Sequence, residues 1–396
     1  MVAEPPPAQW TGRASALIRD RVLLGLLGFG ALLFIYRWGI DDSRPHGGSF
    51  GWHAFHDQGF YYLEASSLAH LEAIPVRNFV FPPGYPVLAA PFSRVGPRGW
   101  PSGDPFFVAD LAVWLLTIAT IYLVGRRLFG QWFAVACTAT VMLATPLVEY
   151  TVIPLNSTAV LAALMVTMLV SLAPRLWWWH GALLGIAVAF AYSARYVDAI
   201  WVAAAAITVL VARRGLAWRS NAWLAALVAG YVALLPTFYL HWRAFGSPFA
   251  RSYSEYRSYH IGAHEFALGN IVPHALEGFV SPFYFDENGF RTLIARPMLS
   301  TMFFVMLAPL GWLLLLRHLR GEARILAVGF GLTTLAATVF YLSFSFTGSY
   351  GLQFGGLHYY KAWWPLWTLA AVAGAYLGVL RLAGMRQPQP PPPDVG

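Results

Sequence analysis

Apolar runs recur along the chain at roughly 22–38, 106–125, 131–148, 158–173, 181–194, 199–212, 222–241, 299–316, 324–345 and 363–380. A helix needs about 20 mostly apolar residues to cross a bilayer, so this pattern predicts an all-α polytopic membrane protein with about ten transmembrane helices. Two long polar segments, 39–105 and 243–298, interrupt the series; both are rich in aromatic residues, His, Gly and Pro. The expected organisation is a single transmembrane domain over 1–386, followed by a Pro-rich disordered tail, 387–396. Glu4 and three prolines precede the first run and no A-x-A-like site follows it, so it reads as a retained span and not as a cleaved signal.

Composition agrees. Of 396 residues 58% are hydrophobic and 11% charged, against roughly 25% charged in a soluble domain. The net charge of +8 comes without any basic run of five residues, and Lys361 is the only lysine among the 26 basic residues. Such a distribution argues against nucleic acid and for topology signals. The single Cys137 excludes an intramolecular disulfide and leaves the redox compartment open.

Orientation follows from the short loops, where the positive-inside bias acts. With the N-terminus inside, fourteen arginines (13, 19, 21, 126, 127, 175, 213, 214, 219, 317, 320, 324, 381 and 386) fall on the inner side, and the short outer loops hold Arg195 and Lys361. The expectation is a multi-pass protein of the plasma (inner) membrane, with both termini cytoplasmic and both long loops outside. Fourteen of the 18 acids and nine of the eleven histidines then lie on the outer side. An outer face so rich in Asp, Glu, His, Tyr and Trp reads as the side where chemistry occurs.

In the first outer loop, His56-Asp57-Gln-Gly-Phe60-Tyr61-Tyr62-Leu63-Glu64 opens a helical pattern. Phe60, Leu63, Leu68 and Leu71 fall near one face, predicting an amphipathic helix at the membrane surface. Asp57 stands at its N-terminus, where a carboxylate can simply cap the helix. An ionised group at membrane depth is also a functional candidate, and a carboxylate so placed can take a proton from a hydroxyl. The following Phe81-Pro82-Pro83-Gly84-Tyr85-Pro86 prevents helix continuation and predicts a rigid turn.

These residues carry a resemblance. An acid shortly after the first span, the F-P-P-G-Y-P turn, Gly125-Arg126-Arg127-Leu128-Phe129-Gly130, Ala194-Arg195-Tyr196, Phe245-Gly246-Ser247-Pro248-Phe249 and His358-Tyr359-Tyr360-Lys361 with Pro365 occur in order. Together they resemble the GT-C fold glycosyltransferases, polytopic enzymes of the protein mannosyltransferase and aminoarabinose transferase types that use polyprenyl-phosphate sugars. The chain departs from the pattern at two places. Pro154-Leu155-Asn156-Ser157 stands where relatives often have Ser and an acid; either Glu149, about one turn earlier, substitutes, or the role is absent. His358 stands where the last motif usually begins with Arg. The resemblance implies inverting transfer of a hexosyl or pentosyl group to a hydroxyl of an extracytoplasmic glycan, lipid or protein, with Asp57 as general base. It further implies that Arg195, Lys361 and His358 meet the donor phosphate, as a leaving phosphate needs cationic or hydrogen-bonding partners. Each has a plainer reading: Arg195 snorkels or pairs with Asp198, Lys361 anchors at the interface, and His358 packs among tyrosines.

His56, Tyr61, Glu149, Arg251, Tyr256 and His260 are candidate substrate contacts, those of the second loop on composition alone. His260 and His264 share a helical spacing that can bind zinc, and His53, His56 and Asp57 form a second cluster of ligand type. With no HExxH or cysteine motif, the expectation is no metal and no cofactor, the lipid-linked sugar being a substrate. Trp177–Trp179, and Trp363 with Trp364, are expected in aromatic belts. Two other classes compete. A transporter or lipid flippase needs ionisable residues in mid-span or inverted repeats, whereas the acids here avoid the middle of the spans. A membrane scaffold or another lipid-dependent transferase is the other alternative; an acyltransferase would need an intramembrane His.

Overall fold

The computed structural model describes residues 20–40, 56–72, 74, 79, 81–94, 106–143, 155–213, 221–250, 266–275, 284–286, 289–291, 307–344 and 360–384. The ten apolar runs form ten helices: α1 (Arg21–Ile40), α4 (Phe106–Phe129), α5 (Gln131–Leu143), α6 (Asn156–Ser171), α7 (Trp178–Ala194), α8 (Asp198–Ala212), α9 (Ala222–Phe245), α11 (Ala308–His318), α12 (Gly321–Leu342) and α13 (Trp364–Leu382). Among the described residues three shorter helices lie in the two long loops: α2 (His56–Ala69), α3 (Gly84–Ala89) and α10 (Ile271–Ala275). Five helices, Arg21–Trp38 within α1 and α4, α9, α12 and α13, are long and apolar enough to cross a membrane; α5, α6 and α8 are apolar but shorter. The all-α expectation needs one qualification. Within the second loop β1 (Tyr284–Asp286) and β2 (Gly289–Arg291) pair antiparallel, with Phe285 opposite Phe290.

Small residues bring the helices close. A Cβ on Gly181 would lie 2.0 Å from the Ala222 carbonyl oxygen, and one on Gly185 would lie 1.9 Å from that of Ala226. Two glycines four apart on α7 thus admit the α9 backbone directly, the close approach that stands in for hydrophobic driving force between helices in lipid. The opposite side of α9 carries exposed Leu224, Leu227, Val228, Tyr231 and Val232.

Polar contacts collect at the helix ends. At one end Asp20 caps α1, accepting from the Val22 and Leu23 N–H groups at 3.1 and 3.2 Å. The Tyr122 hydroxyl donates to the same carboxylate at 2.9 Å, and Arg126 is ion-paired with it. Partial burial pushes the Asp20 carboxyl up, but the backbone and tyrosine hydrogen bonds and the Arg126 charge outweigh it and hold the group below the ordinary carboxylate range. Arg213 at the end of α8 donates to the Ser171 carbonyl at 2.7 Å and pairs with Glu322 on α12. The other end gathers Asn156, Arg195, Asp198, Tyr341 and Lys361.

The face of α2 that packs inward is Tyr61, Glu64, Ala65 and Ala69, whereas Leu63, and Leu71 just beyond the helix, are exposed. The α2 surface facing the protein is therefore chosen by the aromatic turn beneath it. Trp363 and Trp364 are not belt residues. At 0% and 2% exposure they lie inside the bundle, while Trp178, 62% exposed, fits a belt position.

The F-P-P-G-Y-P segment forms the start of α3, and Gly84 rests on the end of α7. A Cβ there would sit 2.6 Å from the Ser193 carbonyl carbon and 2.7 Å from the Ala194 nitrogen. Because the obstructing atoms are backbone, no rotamer relieves the contact. Gly84→Val is expected to cost about 1–3 kcal/mol by overpacking, read as a lowered thermal midpoint of the detergent-solubilised protein, with Gly84→Ala intermediate. An unchanged midpoint for the valine variant would contradict the close approach.

Candidate active site

The end of α7 is the common floor of the Arg195 end. Gly84 touches it from above, and the buried Asn156 amide, at the first residue of α6, donates to the Ala194 carbonyl at 3.1 Å. Arg195 follows immediately as the C-cap of α7. Its guanidinium lies 3.3 Å from the Asp198 carboxylate and 5.0 Å from the centre of the Tyr341 ring. The pairing with Asp198 weighed from the sequence is thus made, and a cation–π contact adds to it. Tyr341, on the last turn of α12, donates its hydroxyl to Asp198 at 2.6 Å. Asp198 is 1% exposed, so its charge is held by one cation and one hydroxyl.

From Tyr341 the packing leads to Lys361. The Tyr341 ring is 6.1 Å from that of Tyr360, and the adjoining Lys361 is 2% exposed with its ammonium donating to the Thr158 hydroxyl at 2.5 Å. Lys361 is therefore an interior group and not an interfacial anchor. Arg195 and Lys361, 166 positions apart in sequence, flank the same helix start: Ala194 is bound by Asn156, and Lys361 by Thr158 two residues on. The second loop is tied to this end as well, with the His274 ring 2.7 Å from the Leu342 carbonyl and the Asn270 amide donating to Ser343 at 3.2 Å.

The first loop closes on the same floor. Tyr61 packs its ring 5.0 Å from Phe81 and 5.5 Å from Tyr85, which makes it a seam residue between α2 and the proline turn. Tyr85 in turn donates to the fully buried Asp110 at 2.7 Å. Phe79 stacks on Phe245 at 5.3 Å, beside the left-handed Gly246 that ends α9. Asp57 occupies the first turn of α2, four residues before Tyr61 and seven before Glu64. Those spacings place the three positions on one helix face. Glu64 is fully buried.

Of the candidates read from the sequence, Arg195, Lys361 and Tyr61 are placed with their side chains, and Asp57 and His56 by their position in α2. His358, Glu149, Arg251, Tyr256 and His260 lie outside the described residues, as do His53 and His264. Among the described residues no group of three or more His, Cys, Asp or Glu side chains is arranged to hold a metal ion. Sequence reasoning passed over Thr158, Tyr341 and Asp110. Nothing local marks them, since each acts through a partner 25 to 203 positions away. Asn156 and Ser157 did carry a signal, as a polar pair opening an apolar run.

No family model and no curated protein matches the chain. Solved structures do. The crystal structure of ArnT from Cupriavidus metallidurans bound to undecaprenyl phosphate matches with a TM-score of 0.54 over 91% of this chain, at 16% identity. The apo crystal structure of the Archaeoglobus fulgidus oligosaccharyltransferase matches with a TM-score of 0.50 over 94% of the chain, at 14% identity. The chain spans 60% of the length of the first and 53% of the second. At these identities fold is what is shared: the bundle has the GT-C fold of polytopic membrane glycosyltransferases, as the sequence motifs led one to expect.

Proposed function

We propose that this protein transfers a sugar from a polyprenyl-phosphate donor to a hydroxyl of an acceptor on the non-cytoplasmic side of the membrane, with inversion. The observation that carries this reading is the junction at the end of α7. There Arg195 and Lys361 are brought to one helix start, and the turn that seats α2, the helix of Asp57, is packed onto the same backbone. The fold likeness to an enzyme solved with undecaprenyl phosphate supports a lipid-phosphate donor. In this reading all ten apolar helices cross the plasma membrane, both termini are cytoplasmic, and α2 lies at the outer interface.

The chemistry assigns the roles. The acceptor oxygen attacks the anomeric carbon, Asp57 takes the acceptor proton, and the bond to the polyprenyl phosphate oxygen breaks with its electrons leaving on phosphate. Arg195 and Lys361 compensate that charge in a site shielded from water, where a fixed cation counts for more than in solution. Arg195 supplies a planar fork and Lys361 a point charge. No metal is needed for these steps.

Three measurements test the reading. Asp57→Asn, inserted and folded as the parent, is expected to lower sugar transfer about 10²–10⁴-fold, the range for loss of a general base; full retained activity would remove Asp57 from the mechanism. Arg195→Ala is expected to raise the donor KM about tenfold or more and leave the acceptor KM nearly unchanged, with Arg195→Lys in between because it keeps the charge and loses the fork. Equal effects on both substrates would count against phosphate contact. In a Cys137→Ser background, single cysteines at Ala3→Cys and Val395→Cys are expected to resist a membrane-impermeant thiol reagent applied to intact cells, whereas Ser252→Cys reacts. Labelling of either terminus would overturn the orientation.

A further inference from the structure

The start of α6 holds a hydroxyl donor, that of Ser157, that no described residue accepts from, while the Thr158 N–H turns back to the Leu155 carbonyl at 2.8 Å. Leu155, Asn156, Ser157 and Thr158 are all buried, at 5% exposure or less, and the helix has no side-chain cap. The first N–H groups of any helix lack partners within it, and in a sixteen-residue helix they stand at the positive end of the macrodipole. Ser157, on that first turn, is 1% exposed and its hydroxyl meets no hydrogen-bond partner among the described residues. One residue on, Thr158 holds the buried ammonium of Lys361. Two and three residues after Lys361, the indole N–H groups of Trp363 and Trp364 are also buried and meet no partner among the described residues.

A buried donor gains from an acceptor, so the Ser157 hydroxyl and the two indole N–H groups around a buried cation suit an acceptor-rich anion. Neither an acid nor a bulky cap fills the first turn of α6, which reads Asn156-Ser157-Thr158.

We propose that the N-terminal turn of α6, with the Ser157 hydroxyl and Lys361, is the cradle that receives the phosphoryl group of a polyprenyl phosphate, and that Ser157 is a donor-specificity residue. This rests on the glycosyl-transfer reading above and adds the receptor for its leaving group. Anions at helix N-termini are bound by convergent N–H groups and by the dipole; Ser157 adds a hydroxyl at the same turn and Lys361 the full charge. The turn carries no acid, and none is expected in this role: a carboxylate beside the leaving phosphate would oppose the charge that develops there.

The test uses the full chain in nanodiscs, with undecaprenyl phosphate, undecaprenol and inorganic phosphate as probes. Ser157→Ala is expected to weaken undecaprenyl phosphate binding about five- to tenfold and leave undecaprenol binding unchanged, while Ser157→Thr keeps the affinity of the parent. Inorganic phosphate is expected to compete only at concentrations far above the lipid. Parent-like affinity in Ser157→Ala, equal affinity for phosphate and prenol, or competition by inorganic phosphate at concentrations matching the lipid would each overturn the cradle. The two readings fail separately. Sugar transfer with an unchanged donor KM in Ser157→Ala removes the cradle and leaves the transferase, whereas Ser157-dependent lipid binding in a protein that transfers no sugar leaves the cradle and removes the transferase.

Discussion

The hydrogen bond from the Asn156 amide to the Ala194 carbonyl fixes the part of the bundle on which everything else at the Arg195 end rests. A helix that stops inside a membrane protein leaves carbonyls that neither lipid nor its own turns can satisfy. At the end of α7 one of those carbonyls is taken by a side chain from the start of α6, which locks an outgoing helix to an incoming one at a defined height. The backbone at 193–194 is thereby flat and fixed enough for Gly84 to lie directly on it. The first loop is then positioned by contact with main chain, which does not change rotamer. Arg195 leaves from this same point, so its guanidinium inherits the rigidity of the junction.

The charges at this end are organised by the same scarcity of water. Asp110 and Asp198 are buried, and each accepts a tyrosine hydroxyl, from Tyr85 and Tyr341. Such pairing is what makes an ionisable group tolerable at depth. It also commits those carboxylates: an oxygen already accepting a short hydrogen bond in a closed interior is poorly placed to take a proton from an acceptor arriving from water. Asp198 serves instead to orient Arg195, holding the guanidinium over Tyr341.

Much of the fold was legible because a bilayer makes sequence periodicity simple. Helix length and apolarity are dictated by the solvent, and the ten helices fall on the runs, within a few residues at most described ends, although α11 begins at Ala308 where its run begins at 299. Among the residues assigned to one side of the membrane from the sequence, Asp20 pairs with Arg126 and Arg213 with Glu322. The inward face of α2 was less legible than its surface face: it packs against the aromatic proline turn, so Tyr61, Glu64 and Ala65 turn inward while Leu63 stays exposed. Trp363 and Trp364 were misplaced for a related reason: an aromatic pair at a span's edge has the same signature whether it faces lipid or the interior. The Lys361–Thr158 contact joins positions 203 apart, and no local feature of either residue announces the other.

The neutral start of α6 has a consistent physical meaning. With Asn156 and Ser157 there, the helix start has neutral donors and a positive dipole, next to a buried lysine. An acid in that turn would stand beside Lys361 and offset its charge. The amide of Asn156 binds the carbonyl of Ala194 while the next residue offers a hydroxyl, so structure and recognition are divided between adjacent side chains. The acids described at this end are Asp198, which orients a cation, Asp110, which is held by Tyr85, and Glu64 of α2, a helix that reaches the junction through the packing of Tyr61 on Tyr85. The proposed inverting transfer would use such a separation, because the group that gains a proton and the group that stabilises the departing anion must stand on opposite sides of the reacting carbon and must not neutralise each other.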